Sequence, residues 1–422
     1  MKNSNKYIYI RLINFVRGFL FSFIYIFIKK NKKRIIFTST GNIKYDHNSK
    51  YLFEYFLKCF SNFEVKYVIN EPSLKVSLEK ELGDYFIETN SIQGMLYSLK
   101  AYTWITSSLE LPVGGIFQRI NRLVIHLGHG TPLKNIGFLE KNISVLKKIY
   151  YTFIKNNFSY VLSTSHDFDK IMSKFLNIPL KRIFTNGQPR LDSIFEKKED
   201  ILKRVFKIEK NMKNILYAPT WRKDSEAELF PFTDFNEKEI ENFLEDNKIN
   251  IFLRVHPDFE TEIDEKLLKI KGIYVLNSKV VKDISEYLSC FDLLITDYSS
   301  IFIDYLLLDK PILFLPYDFE KYNKEIGFTV NYMTHTPGPK SYSFENFKNE
   351  YQVFNENYDD FNIKFSRKQR EINTLNYEIS ENEKFILEKE KKIKENRELI
   401  QNIEKYIEEN NIPFVEDKTN FE

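Results

Sequence analysis

The sequence predicts an α/β protein with two consecutive parallel sheets, an amphipathic N-terminal segment and a long helical C-terminal tail. From residue 34 to about residue 340, short apolar runs alternate with helical patterns, which is typical of parallel sheets covered by helices on both faces. A charged helical stretch at 196–212 interrupts this alternation, and a second unit of similar size follows it. The chain has 422 residues, of which 43% are hydrophobic, enough for two sizeable cores.

Residues 1–33 are predicted to associate with a membrane surface. The stretch 7–28 is apolar and aromatic but contains two arginines, and its uninterrupted part, 18–28, is too short to span a bilayer. The basic sequence KKNKKR follows at 29–34. We therefore expect a helix in the membrane interface, attracted to anionic lipid, with the rest of the chain on the cytoplasmic side. A true membrane span and a helix packed on the protein are the alternatives.

The N-terminal domain is predicted over residues 34–196. Its apolar runs have the length and composition of strands, and amphipathic segments between some of them are typical of helices. The predicted strands are 34–40, 65–70, 85–89, 103–108, 122–127 and 160–165, with a strand-like run at 182–186, and the predicted helices are 50–60, 143–156 and 167–176.

The C-terminal domain is predicted over residues 197–345, with a helix at 283–291. Its predicted strands are 214–220, 250–257, 272–278, 292–300 and 311–317. In open α/β sheets, ligands bind beyond the carboxyl ends of the strands. Because the unusual polar clusters of this chain follow such ends, we expect one site in a cleft between the two domains.

The tail, residues 346–422, has the pattern of a long helix. Isoleucine recurs at every seventh position from Ile372 to Ile407, and neither Pro nor Gly occurs between residues 366 and 411. This repeat is typical of a coiled coil, although the second core position is polar at Asn382, Lys389 and Asn396. Two alternatives stay open: a homo-oligomer formed through the tail, and a helix that folds back on the domains or frays.

Composition and missing motifs exclude several classes of protein. Basic and acidic side chains number 62 and 59, so the net charge gives no support for nucleic-acid binding. The two cysteines, Cys59 and Cys290, lie far apart, so neither a disulfide scaffold nor a cysteine-based zinc site is expected. The chain lacks Walker A, GxGxxG, HExxH and GxSxG motifs, and no DxD pair follows a convincing strand. We therefore expect no metal and no other cofactor.

His129 is the candidate general base. The stretch HLGHGTPLKNIG (126–137) ends an apolar strand at a glycine-rich turn. Gly128 and Gly130 allow the backbone to approach a ligand closely, and an imidazole in a cleft accepts a proton from a hydroxyl near neutral pH. His126 lies within the strand and is expected to be buried. A hydrogen-bonded structural histidine is the alternative for His129.

Cationic residues follow several predicted strands, in GQPRLD (187–192), APTWRKD (218–224) and RVHPD (254–258). Each stretch alone is equally compatible with a turn, a core anchor or a solvated ion pair. Together they place positive charge around one crevice, which suits a phosphate or diphosphate because arginine binds pairs of oxygens. The cationic candidates are Arg190, Arg222, Lys223, Arg254 and His256.

A strand passes into a helix within TDYSSIFIDYLL (296–307). Ser299 and Ser300 place hydroxyls beside the free backbone N–H groups of a helix start, a combination that binds anions, and simple helix capping is the alternative. Asp297 would repel a phosphate, so we expect it to orient the loop or a neighbouring donor.

In this order, the motifs resemble those of the CDP-glycerol glycerophosphotransferases of teichoic acid and related capsule synthesis. The stretches that carry the resemblance are HGTPLKNIG, GQPRLD, YAPTWR, RVHP and LLITDYSSIFIDYLLLDKPILFLPYD, with a weaker match at 38–56, TSTGNIKYDHNSKYLFEYF. The resemblance covers about residues 34–340. The chain departs from the family pattern at Ile326, where such enzymes often have an arginine, so a phosphate contact there is not expected.

This resemblance implies a GT-B-like architecture of two facing Rossmann-like domains, in which the C-terminal domain holds CDP-glycerol and the N-terminal domain presents a glycan or lipid-linked glycan acceptor. Glycerol phosphate, or a related polyol phosphate, would pass to an acceptor hydroxyl and CMP would leave. The motif histidines fall on His129, the base, and on His256, which would engage the diphosphate. The substrate-binding candidates are Thr131, Lys134, Arg190, Arg222, Arg254, Asp297, Ser299 and Ser300.

Two alternatives to this function stay open. The nearer is a GT-B glycosyltransferase that uses a nucleotide sugar in surface polysaccharide synthesis. The more distant is a catalytically inactive assembly factor that is held by its tail and its membrane helix.

Overall fold

Two parallel sheets form the framework of the chain. The computed structural model describes residues 13, 15–16, 18–19, 21–196, 201–209, 211–220, 222, 229–255, 260, 263 and 265–356. We call residues 21–196 the N-terminal lobe and residues 201–356 the C-terminal lobe. The prediction of an α/β protein with parallel sheets is confirmed.

The N-terminal sheet has seven strands in the order β3-β2-β1-β4-β5-β6-β7, all parallel. Its strands are β1 Asn31–Thr38, β2 Glu64–Val68, β3 Phe86–Ile87, β4 Ala101–Thr106, β5 Leu123–His126, β6 Tyr160–Ser163 and β7 Ile183–Thr185. Its helices are α1 His47–Cys59, α2 Pro72–Leu82, α3 Ile92–Leu99, α4 Val145–Ile154 and α5 His166–Leu176.

The C-terminal sheet has five parallel strands in the order β10-β9-β8-β11-β12. Its strands are β8 Lys213–Ala218, β9 Ile249–Leu253, β10 Ile273–Val275, β11 Leu293–Thr296 and β12 Ile312–Phe314. Its helices are α6 Ile201–Phe206, α7 Glu237–Asp246, α8 Glu265–Leu268, α9 Ile301–Tyr305, α10 Phe319–Glu325, α11 Tyr332–His335 and α12 Phe344–Glu356. The helix expected at 283–291 is a 3-10 helix, Ile284–Cys290.

Each sheet is buried on both faces, which is why its strands read as apolar runs rather than alternating patterns. All five residues of β9 and all four of β11 are buried. Helix α12 covers one face of the C-terminal sheet with Phe344, Phe347, Tyr351 and Phe354. The predicted tail boundary at residue 346 falls within this helix, while the heptad repeat at 372–407 lies outside the described residues.

The N-terminal segment packs on the N-terminal lobe where the structure describes it. Gly18 and Ser22 are buried, and a Cβ atom on Gly18 would lie 2.2 Å from the carbonyl oxygen of Gly114, so only glycine permits this approach. Phe21 and Tyr25 pack against the core of the lobe. In the part of the chain that the structure describes, no helix combines the length and apolar character needed to cross a bilayer.

Candidate active site

The polar loops of both sheets lie where the strand order reverses. In the N-terminal sheet the reversal falls between β1 and β4, and in the C-terminal sheet between β8 and β11. Loops diverge beyond the carboxyl ends of such strand pairs and leave a crevice for a ligand. His47 and Ser107 follow the first pair, and Arg222 and Asp297 follow the second.

Asn48 joins the loops of the N-terminal edge. Its buried amide nitrogen lies 2.9 Å from the carbonyl oxygen of Gly128 and 3.0 Å from the side-chain oxygen of Gln188. Its amide oxygen accepts a hydrogen bond from the backbone N–H of Arg190 at 3.2 Å. One side chain at the start of α1 therefore fixes the loops after β5 and β7 relative to each other.

His129 projects from the loop after β5 and is exposed. Its Nδ1 lies 3.1 Å from the backbone carbonyl oxygen of Ser107. A carbonyl only accepts, so Nδ1 carries the proton and Nε2 keeps its lone pair. The hydroxyl of Ser107 accepts from the backbone N–H of Ser49 at 2.7 Å, which ties this carbonyl to α1. The backbone therefore sets His129 in the tautomer that a general base needs.

His126, three residues earlier, has the opposite environment. It is 3% exposed and stacks on Phe158 with ring centroids 5.1 Å apart. Burial and, to a smaller extent, the neighbouring His129 lower its pKa to about 3. The expectation that His126 is buried is confirmed, and it is a neutral core residue.

A second imidazole, His47, faces His129. The two ring centroids are 5.0 Å apart and the rings are inclined by 31°. His47 Nε2 lies 3.5 Å from Oδ2 of Asp46, and Oδ1 of Asp46 accepts from the hydroxyl of Ser39. Burial lowers the pKa of His47 to about 4, although Asp46 acts in the opposite direction. The pair therefore combines one base-competent imidazole with one that stays neutral.

Thr131 and Lys134 lie on the same loop as His129 but contact different lobes. Thr131 is buried, and its Oγ1 is 3.0 Å from Oγ1 of Thr164. Lys134 extends toward the C-terminal lobe, with Nζ 5.8 Å from the ring centroid of Tyr322. Burial lowers the pKa of Lys134 to about 8, partly opposed by Asp297. Lys134 thus belongs to the N-terminal lobe, but its ammonium group packs against residues of the C-terminal lobe.

The loop that carries His129 is docked on the C-terminal lobe. Leu133 is 2% exposed and belongs to the hydrophobic core of that lobe. The backbone N–H of Thr329 donates to the carbonyl of Leu133 at 3.0 Å, and the Thr329 hydroxyl donates to the carbonyl of Pro132 at 2.6 Å. Gly327 has φ +76°, and a Cβ atom there would lie 2.6 Å from Nδ2 of Asn135. The C-terminal lobe therefore helps to position the candidate base.

Asp297 and Arg222 order the loops of the C-terminal edge. Asp297 is 2% exposed, and its Oδ1 accepts the backbone N–H of Thr220 at 2.7 Å. Arg222 is 6% exposed; it forms an ion pair with Asp297 at 3.0 Å and two bonds of 2.8 Å to the carboxylate of Asp318. A direct contact of Arg222 with phosphate stays a prediction, and these occupied donors count against it.

Arg190 joins the two lobes. Its Nη2 lies 2.7 Å from Oδ2 of Asp304, and its Nη1 donates to Oγ of Ser285 at 2.7 Å. Both charged side chains of this ion pair are 7% exposed. The predicted contact of Arg190 with substrate phosphate also stays a prediction, since its guanidinium is directed into this buried pair.

Other candidates lie closer to the cleft. Ser299 and Ser300 are partly exposed, and a Cβ atom on Gly130 would lie 3.6 Å from Oγ of Ser300. The loop of the candidate base therefore lies against the strand-to-helix turn of the other lobe. Arg254 is partly exposed and donates from Nη1 to the carbonyl of Leu276 at 2.9 Å. His256 lies outside the described residues.

Sequence reasoning did not identify four residues of the site: His47, Asn48, Ser107 and Thr329. The signal for the first two was the stretch YDHN at 45–48, which falls in the weaker part of the family resemblance. Ser107 acts through its carbonyl and Thr329 through a contact between distant segments. Neither interaction has a residue-type signature, so only the folded chain shows them.

Together, the fold and site define an α/β protein with two parallel sheets, in which the loop that carries an exposed imidazole lies against a serine-bearing turn at the edge of the other sheet. The family model described as CDP-glycerol:poly(glycerophosphate) glycerophosphotransferase matches residues 20–383, and the chain belongs to this family. The resemblance found in the sequence is therefore confirmed.

Curated relatives agree with this assignment. The chain is 29% identical over 327 residues to the teichoic acid poly(glycerol phosphate) polymerase of Staphylococcus epidermidis, a match that covers 73% of this chain but 43% of that protein. It is 27% identical over 330 residues to the teichoic acid glycerol-phosphate transferase of Staphylococcus aureus, covering 73% of this chain and 80% of the relative. The chain thus spans less than half the length of some of the relatives that it matches.

A solved structure of the wall teichoic acid polymerase TagF shares the fold. The two align with a TM-score of 0.65 and 23% identity, covering 86% of this chain and 92% of that one.

Proposed function

We propose that this chain transfers glycerol phosphate, or a related polyol phosphate, from CDP-glycerol to a hydroxyl of a teichoic-acid-type or capsule-type glycan acceptor and releases CMP. The family, and the names of relatives that act as glycerol-phosphate transferases and polymerases, support the substrate class. The observation that carries the proposal is the imidazole of His129, whose Nδ1 contacts the Ser107 carbonyl and whose Nε2 is left as a proton acceptor.

The transfer takes place in one displacement. Nε2 of His129 accepts the proton of the acceptor hydroxyl, and the oxygen forms a bond to the β-phosphorus of CDP-glycerol. The bond from that phosphorus to the bridging oxygen breaks, and CMP leaves with the oxygen. A positioned base of this kind contributes about 10²–10⁴-fold to the rate. No metal enters the proposed step.

The donor diphosphate contacts Arg254, His256, Ser299 and Ser300 in this proposal. The partial exposure of Arg254 and of both serines, and the approach of Gly130 to Ser300, support that assignment. Arg190, Arg222, Asp297 and Thr131 hold the loops in this proposal, and a direct contact of any of them with substrate stays a prediction. Lys134 adds positive charge from the opposite lobe.

The two lobes act as the facing domains of a GT-B-like enzyme. The predicted boundaries are 34–196 and 197–345, and the second domain extends through α12 to residue 356 because this helix packs in its core. The N-terminal domain presents the acceptor and the C-terminal domain holds CDP-glycerol. The reversals of strand order, which place a crevice at the carboxyl edge of each sheet, support this arrangement.

The test of the reaction is CMP release. The full chain is incubated with CDP-glycerol and a defined glycan acceptor, and nucleotides and products are identified by mass spectrometry; CDP-ribitol, UDP-sugars and GDP-sugars serve as competing donors, and EDTA tests the metal-free step. Acceptor-dependent CMP release with a mass gain of one glycerol phosphate supports the proposal. Release of UDP or GDP with sugar transfer would instead identify the glycosyltransferase alternative.

We also propose that the protein lies on the cytoplasmic face of the plasma membrane as a peripheral protein. Two neighbouring elements expose apolar side chains: Phe27 is 80% exposed in the N-terminal segment and Leu146 is 80% exposed on α4. The rings of Phe15 and Phe153 lie 6.5 Å apart and join these elements. An exposed apolar face beside basic residues such as Lys29 is attracted to anionic lipid.

Vesicle sedimentation tests this membrane proposal. Leu146→Ser should lower binding to vesicles that contain anionic lipid, because it removes apolar area from the exposed face. Val353→Ser on α12, where the side chain is 51% exposed, is the matched control. Equal loss in both variants would contradict the assigned face.

The heptad repeat of the tail supports a further proposal, self-association as a coiled coil. Analytical ultracentrifugation of the full chain and of a chain ending at residue 363 tests it. A monomer in both would remove the coiled coil from the proposal.

A further inference from the structure

His47 occupies an unusual backbone position in the cleft. It is the first residue of α1 and has φ +58°, in the left-handed region that residues other than glycine seldom adopt. Such conformations persist only where the surrounding structure holds them, and they concentrate at functional sites. Here Asn48 and Ser49, the next two residues, are buried and bonded to the loops after β5 and β4. The side chain of His47 stays 34% exposed beside His129.

The contacts of His47 define which of its nitrogens is free to accept. Nε2 lies 3.5 Å from Oδ2 of Asp46. A proton on Nε2 avoids repulsion between a ring lone pair and this carboxylate, so we assign that tautomer to the neutral ring. Nδ1 then carries the lone pair, and within the described residues it has no hydrogen-bond partner. The free lone pair of His47 and that of His129 Nε2 thus belong to two rings whose centroids are 5.0 Å apart.

The two imidazoles are not equivalent as bases. Burial lowers the pKa of His47 to about 4; His129 and Arg190 act in the same direction, and Asp46 and Asp283 oppose it. At neutral pH this ring therefore stays neutral and accepts hydrogen bonds, but it does not hold a proton. His129 is exposed, and within the described part of the chain its hydrogen bond involves Nδ1 alone, so its Nε2 is left to accept the proton.

We propose that His47 is an acceptor-binding residue that receives a hydrogen bond from a second hydroxyl, next to the one that attacks. The site then recognises a vicinal diol: one hydroxyl gives its proton to His129 and attacks the donor, and its neighbour donates to Nδ1 of His47. A chain that ends in a glycerol phosphate unit presents such a diol. This inference rests on the proposed function and names the class of acceptor terminus that it uses.

The experiment compares two soluble acceptors that differ in one hydroxyl. One is a disaccharide capped with glycerol phosphate, which ends in a vicinal diol, and the other carries 3-hydroxypropyl phosphate, which ends in a single hydroxyl. The ratio of kcat/KM for diol over mono-ol is measured with CDP-glycerol for the wild-type chain, His47→Gly and His47→Asn. This ratio does not depend on the fraction of protein that folds correctly, and Gly and Asn both tolerate positive φ.

We expect the wild-type chain to prefer the diol by roughly 10-fold or more, the effect of one hydrogen bond in a site built to receive it. In His47→Gly the ratio should fall to about one, because no acceptor for the second hydroxyl is left. His47→Asn places an amide oxygen near the position of Nδ1 and should keep much of the preference. An unchanged ratio in His47→Gly, or a wild-type ratio near one, would overturn the inference.

Failure of this inference is distinguishable from failure of the proposed function. Dissociation constants of the same two acceptors are measured by isothermal titration calorimetry in the presence of CMP, and they report the diol preference without turnover. If no transfer occurs but the binding ratio depends on His47, the diol site stands and the proposed reaction fails. If transfer occurs with equal ratios in all variants, the reaction stands and the diol site is wrong.

Discussion

The charged and titratable side chains at the edges of the two sheets differ in exposure and in bonding. At the N-terminal edge, His129 is exposed and, among the residues that the structure describes, hydrogen-bonded through Nδ1 alone, and His47 is partly exposed beside it. At the C-terminal edge, Arg222 and Asp297 are almost fully buried and bonded to each other. The contrast teaches that a polar residue after a strand is available to a ligand only if some of its donor or acceptor atoms have no partner within the folded protein.

Loss of His129 should have the largest effect on turnover. His129→Ala removes the proton acceptor, and we expect turnover to fall by about 10²–10⁴-fold while CDP-glycerol binding and the melting temperature stay near their wild-type values. His335→Ala, which removes another exposed histidine, is the matched control and should leave turnover unchanged. Near-normal turnover of His129→Ala, measured as CMP release, would show that the exposed imidazole is not the base.

Breaking the buried pair between the lobes should have the largest effect on stability. Arg190→Met leaves Asp304 charged and buried without its partner, and we expect a loss of about 3–5 kcal/mol in the free energy of unfolding. Urea denaturation measures it.

Two comparisons control this stability measurement. Lys271→Met breaks an ion pair whose side chains are 77% and 68% exposed, and it should cost less than about 1 kcal/mol. The double variant with Asp304→Leu should recover much of the Arg190→Met loss, because no buried charge is left. Equal small losses for both ion pairs would remove the distinction between the buried and the exposed pair.

Acid should destabilise the protein through its buried histidines. The pKa of His126 is lowered to about 3 in the folded chain, from the 6.5 of an exposed histidine. Between these values the unfolded chain binds a proton that the folded chain does not, so the free energy of unfolding falls as the pH drops from 6.5 toward 3. His126→Phe should make this decline shallower, by an amount on the order of a few kcal/mol at pH 4.

Chemical denaturation at pH 7 and pH 4.5 measures the decline. His335→Phe, at an exposed position, should leave it as in the wild-type chain. If the pH dependence is the same in all three proteins, the folded and unfolded chains protonate His126 equally well, and burial does not lower its pKa.

The docked loop should give the smallest effect. Thr329→Val removes the hydroxyl that bonds the Pro132 carbonyl, and we expect a cost of about 1–2 kcal/mol together with a fall in kcat that exceeds the change in donor KM. Thr336→Val, which removes a comparable bond within the C-terminal lobe, is the matched control and should leave kcat unchanged. A rise in donor KM with unchanged kcat would show that this contact does not position the base.

The sequence predicted most of the framework. The strands are runs of buried apolar residues, and these can be read without knowing which strand pairs with which. The helix expected at 283–291 is a 3-10 helix, since amphipathic spacing over so short a span does not separate the two forms. The exposed His129 was found because an imidazole beside two glycines is unusual at a strand end.

The sequence could not show which of the candidate arginines form ion pairs with carboxylates of the protein. Arg190 and Arg222 follow strands just as Arg254 does, but their partners, Asp304 and Asp318, lie 114 and 96 residues away. No local pattern records pairs so distant. The same applies to Thr329 and Pro132, which are 197 residues apart.

Leu133 of the N-terminal lobe packs in the core of the C-terminal lobe. This packing limits how lobes can be exchanged between members of the family. In a chimera whose N-terminal lobe comes from a relative, the relative's loop would contact residues 327–329. Its residue at position 133 would then pack in a C-terminal core that did not evolve with it. Functional hybrids would need to transplant 132–135 along with the lobe that receives them. The segment to exchange is therefore the C-terminal lobe together with residues 132–135, and not a domain that ends at the linker.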